Sequence, residues 1–169
     1  MSARLIILLL LLASPLAQAY KGDGKLIDHG PQAAHNRFEL DLGPVDLERS
    51  GRSEYRFTDL PDKEFTFGLK ITAPRGGKLS HLPRATVRMT LLNEREDVLF
   101  EVSDELANWF RSETVSEWFL YLQGASQGQG TNLPARPSAR YRLIFETVKA
   151  DSSTSKFVVR LLAVGGGWK

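Results

Sequence analysis

Three histidines, His29, His35 and His81, are the imidazoles this chain has for proton transfer or metal ligation, and their spacing suits neither. His29 and His35 lie in a stretch without apolar periodicity, His81 lies in a separate loop, and no H-E-x-x-H pattern sets two imidazoles on one helical face. Asp23 and Asp28 sit near glycines but lack the dense acidic register of a calcium loop. No metal and no cofactor are expected. Ser126 has Gly124 and Gly128 two residues to either side, but a nucleophile elbow needs a strand running straight into a helix, and no helical pattern follows. Gly165, Gly166 and Gly167 lack the Lys-Ser/Thr and the following helix of a phosphate loop. Glu94, Glu96, Asp97 and Glu101 crowd one expected hairpin, with Asp104 and Glu105 just beyond. Asp97 and Glu101 would stand about 13 Å apart along a strand, too far for a local glycosidase pair. They read as charges that protect a sheet edge. No catalytic residue is expected.

With no cysteine in the chain, thiol nucleophiles, disulfide exchange, cysteine-ligated zinc and lipid attachment at a cysteine are excluded. Charge names no partner either, since 22 Lys and Arg stand against 20 Asp and Glu. The nearest basic group, Arg75, Lys78, Arg84 and Arg88, straddles a loop and a strand and has no interleaved aromatics, so nucleic acid is not expected.

What remains is recognition. In Glu117-Trp118-Phe119-Leu120-Tyr121-Leu122, a period of two puts Trp118, Leu120 and Leu122 on one face and Phe119 with Tyr121 on the other, so both faces are apolar. The strand runs into a long polar connection from Gly124 to Arg140 that is rich in Gly, Gln and Ser. Trp118, Phe119 and Tyr121, with Gln127 and Asn132 from the connection, are the expected ligand-binding residues, and a protein or a glycan is the expected partner. If the strand is central instead, these rings belong to the core.

The elements that must hold such a site are strands. Phe38 to Leu42, Tyr55 with Phe57, Glu64 to Ala73, Val87 to Leu91, Val98 to Val102, Trp118 to Leu122, Tyr141 to Val148 and Phe157 to Val164 show strand periodicity or short apolar runs, and turn residues separate most of them. One short helix is expected from Ser103, with Asp104 and Glu105 in its first turn and Leu106, Trp109 and Phe110 on its buried face. No crossover helices are visible, so the fold class is all-β: an antiparallel β-sandwich or jelly roll of about eight strands with one short helix.

The first nineteen residues have the pattern of a secretory signal. Arg4 is followed by the apolar run Leu5 to Leu12, and Ala17-Gln18-Ala19 is a small-x-small site that predicts cleavage before Tyr20. The apolar run is short against the roughly 20 residues that span a bilayer, so no stable membrane insertion is expected. Residues 20–169 then form a single periplasmic or secreted domain. The expectation for function is an exported noncatalytic binding or accessory module. The competing readings are a small extracytoplasmic hydrolase, an assembly factor using an exposed strand edge, and an eight-stranded outer-membrane barrel.

Overall fold

A computed structural model describes residues 20–29, 38–73, 81–113, 117–122, 133–136, 138–153 and 157–166. The expected signal segment, His35, Arg75, Lys78, Gln127 and Asn132 lie outside the described residues. Within them the chain is an antiparallel β-sandwich. All eight expected strands are present: β3 (Phe38–Pro44), β4 (Gly51–Thr58), β5 (Glu64–Thr72), β6 (Thr86–Leu92), β7 (Val98–Glu105), β9 (Glu117–Tyr121), β11 (Arg140–Lys149) and β12 (Val158–Gly165). Four short strands add to them: β1 (Lys21–Gly22), β2 (Lys25–Asp28), β8 (Phe110–Glu113) and β10 (Leu133–Pro134). One sheet has the order β1-β4-β11-β6-β7. The other runs β2-β3-β12-β5-β9-β8, with β10 beside β9 on the same edge of β5.

Alternation decides which side chains meet between the sheets. β5 contributes Phe65, Phe67, Leu69 and Ile71, all nearly inaccessible, and across from it stand Val87, Met89 and Leu91 of β6 with Leu143 and Phe145 of β11. Burying each such side chain contributes about 1.5 to 3 kcal/mol. The apolar rows of both sheets point into one shared core, the arrangement of a sandwich and not of an outward-facing membrane barrel. At one end the Tyr141 ring stacks on Phe57 at 5.6 Å and meets Phe65 edge-on at 5.9 Å. Its hydroxyl accepts a hydrogen bond from the Arg136 N–H at 3.1 Å, which ties the chain after β10 to β11. Gly165 lies opposite Phe38, whose ring covers it so closely that a Cβ there would fall 2.0 Å from the ring.

The helix expected from Ser103 is not formed. Pairing of β7 with β6 continues through Ser103, Asp104 and Glu105, and only Leu106–Asn108 make a turn, of the 3-10 type. One isolated helical turn fixes several dihedrals for a single hydrogen bond, whereas each added residue of β7 extends an existing ladder. The turn still delivers its apolar residues, since Leu106 and Trp109 are both buried in the core.

Residues 21–28 carry strand pairing that periodicity does not reveal, because each piece is too short for a pattern. Lys21 and Gly22 pair with β4, and Lys25 to Asp28 pair with β3 in the opposite sheet. Gly22 and Gly24 have φ of +138° and +88°, and a Cβ on either would lie 2.3 or 2.4 Å from a backbone carbonyl oxygen, of Arg56 and Asp41 respectively. Asp23 between them is bonded both ways to Arg56, N–H to carbonyl at 2.8 Å and carboxylate from N–H at 2.7 Å. Lys-Gly-Asp-Gly thus crosses from one sheet to the other.

Candidate functional site

The strand expected to bear the aromatic platform is β9, paired with β5 on one side and β8 on the other. Trp118, Leu120 and Leu122 face the core, and Trp118 is 6% exposed with the Arg111 guanidinium 5.1 Å from its ring centre. Phe119, on the outer face, is half-buried, with the Lys70 ammonium 5.4 Å from its ring centre. Tyr121 pairs through its backbone with Gly68 and Phe110; its side chain, like Gln127 and Asn132, lies outside what is described. The crowded carboxylates do form a hairpin. The Asn93 side chain accepts from the N–H groups of Arg95 and Asp97 and donates to the Asp97 carboxylate, which closes the turn.

The strand β7 that follows is the edge of its sheet among the described residues. Leu99 is an extra residue in the ladder, Glu101 stands opposite Thr90, and the Glu105 N–H is bound at 2.7 Å by the Asp104 carboxylate. A bulge, acidic side chains and a blocked rung discourage addition of another strand.

A concave site lies on the outer face of the five-stranded sheet, where β1, β4 and β11 run beside the β6–β7 turn. The cavity measures about 450 Å³. Its floor is set by register. Thr58 pairs with Lys21 on one side and Arg140 on the other, so these three side chains form one row; in the next, Arg56 pairs with Arg142. Directly opposed arginines repel, and carboxylates offset this. The Arg56 guanidinium donates to Glu54 at 2.9 and 3.0 Å, Arg142 reaches Glu54 at 3.7 Å, and Arg142 also donates to Glu96 from the turn. The hydrogen bond from Arg56 holds the Glu54 carboxyl below its ordinary value against a smaller opposing effect of burial, with the nearby Arg142 and Arg52 charges adding to the lowering.

Glu96 reaches Arg142 from a left-handed conformation, φ 65°, in the turn position where glycine is the usual residue. The remaining cations of the cavity, Lys21 and Arg140, form no ion pair with a carboxylate among the described residues. Glu94 lines the same cavity, also without an ion pair among them.

None of these residues was among the expected site residues. Arg56 with Thr58 and Arg140 with Arg142 are the polar face of two strands, visible as such in the sequence, but nothing local says that those strands are neighbours. Among the described residues no three His, Asp or Glu side chains gather in a metal-holding group, and no helix is long and apolar enough to cross a membrane. Compared with known proteins, the chain matches no family model and no curated protein.

Proposed function

We propose that this chain is an exported, noncatalytic binding module, and that its ligand occupies the cavity over Thr58. The observation that supports this reading is the cavity itself: about 450 Å³, within the range of small-ligand sites, and floored by paired strands of the sandwich. A volume of this size suits one or two saccharide units of a glycan. Its floor is backbone held by strand pairing, and Arg56 and Arg142 are held by Glu54 and Glu96, so that part needs little ordering on binding. Glu96 is already engaged by Arg142, whereas a two-carboxylate hydrolase needs both carboxyls turned to the substrate.

Electrophoresis of the folded protein through gels containing neutral or acidic polysaccharides tests the proposal. At least one polysaccharide should retard the protein, and Thr58→Trp, which fills the cavity from an outward-facing position, should abolish retardation while the melting temperature is kept. Retardation that survives Thr58→Trp, or none with any polysaccharide, would remove the cavity as the binding site. Release of reducing sugar from a retarding polysaccharide would turn the reading towards a hydrolase using Glu94 and Glu96.

A further inference from the structure

Resting on that reading, we infer that the cavity selects an acidic saccharide unit, its carboxylate or sulfate held between Lys21 and Arg140 over the hydroxyl of Thr58. The four cations of the cavity differ in what they are already doing. Arg56 and Arg142 are occupied by Glu54 and Glu96. Lys21 and Arg140 have no such partner among the described residues, although both line the cavity. They flank Thr58 on the strands to either side, which places their Cα atoms about 10 Å apart, two strand spacings. Two long side chains from that separation converge on one oxyanion above the middle strand, where Thr58 offers a hydroxyl donor.

The position of Lys21 is built and not incidental. Gly22, at φ +138°, lets β1 lie against the Arg56 carbonyl, and the carboxylate of the following Asp23 accepts from the Arg56 N–H. A guanidinium and an ammonium beside a hydroxyl supply charge-assisted donors to a carboxylate or sulfate, stronger than neutral ones. Across the cavity Glu94 offers an acceptor for saccharide hydroxyls. The site therefore has donors at one end for an anion and an acceptor at the other for the sugar ring that carries it.

Calorimetric titration with trigalacturonate, its methyl ester and inorganic sulfate decides the point, since the ester removes the charge and adds only a methyl group at each carboxyl. Trigalacturonate should bind at least about tenfold more tightly than either of the others, the loss expected when a charge-assisted hydrogen bond is removed, and its affinity should fall as sodium chloride is raised. Lys21→Gln and Arg140→Gln should each weaken it by about tenfold or more with unchanged melting temperature, and Arg84→Gln, remote from the cavity, should not. Equal affinity for acid and ester, tightest binding of inorganic sulfate, absence of trigalacturonate binding, or wild-type affinity in both glutamine variants would overturn the inference. If the ester binds as well as the acid and Thr58→Trp blocks both, the binding-module reading stands and the acidic ligand does not. If Thr58→Trp leaves binding intact, the cavity itself is wrong.

Discussion

At the scale of single residues, Asp151 shows how one side chain joins segments that pairing leaves apart. It follows β11, and its carboxylate accepts from the Arg84 N–H at 2.6 Å and the Ser153 N–H at 3.0 Å, while its own N–H donates to Leu47 at 2.8 Å. Burial pushes this carboxyl upward, but the bonds from Arg84 and Ser153, with a contribution from the His81 charge, outweigh burial and leave it below its ordinary value of 3.8. A carboxyl lowered in the folded state stabilises the protein above its unfolded value and loses that contribution as the pH falls through its folded one. Asp151→Asn should therefore cost on the order of 1 kcal/mol near neutral pH, and the gap from the parent should close below the ordinary carboxylate range. Urea unfolding of both proteins from pH 7 down to pH 2.5 checks this. A gap that stays constant across the range would mean that the carboxylate charge plays no part.

At the scale of elements, the β6–β7 turn sets a backbone strain against an ion pair. Glu96 stands at φ 65°, which costs a residue with a Cβ about 1 kcal/mol, and its exposed pair with Arg142 returns at most about as much. Replacing it separates the two: Glu96→Ala keeps the strain and loses the pair, whereas Glu96→Gly loses both. The glycine variant should be the more stable of the two by about 1 kcal/mol in thermal unfolding, less a few tenths for the greater freedom of its unfolded chain. In both variants Arg142 loses Glu96 and keeps only the longer contact with Glu54, so the cavity becomes more positive and trigalacturonate should bind more tightly than to the parent. Elements were also what the sequence made legible. Rows such as Phe65, Phe67, Leu69 and Ile71 announce a strand because one face must be buried and the period of two is the only way to do it. After Ser103 the sequence suggests a helix because Leu106 and Trp109 keep a helical spacing across a turn of only three residues, Leu106–Asn108. The cavity was not legible at all, for Lys21, Thr58 and Arg140 become neighbours only through pairing across most of the chain's length, and polar side chains on an outer face carry no periodic signature of a partner.

At the scale of the whole molecule, the segment from Lys21 to Asp28 links the proposed site to the stability of the sandwich edge. The two sheets are held face to face by the core, but at this edge one continuous stretch belongs to both, β1 to the sheet that floors the cavity and β2 to the other. Its side chains are largely exposed, so it belongs among the parts that open locally before the core does. Gly24 is where the stretch changes sheets, with a Cβ position 2.4 Å from the Asp41 carbonyl oxygen and a φ of +88° that side chains disfavour. Gly24→Ala should loosen the stretch without unfolding the sandwich, because Phe67, Leu69 and Leu161 in the central strands do not depend on it. Hydrogen exchange should then quicken at residues 21–28 while amides of β5 and β12 keep their protection. Since Lys21 is carried by the same stretch, affinity for trigalacturonate should fall with it, as far as in Lys21→Gln. Faster exchange at residues 21–28 with unchanged affinity would show that Lys21 does not hold the ligand, and loss of protection throughout β5 and β12 would show that this edge stabilises the whole sandwich.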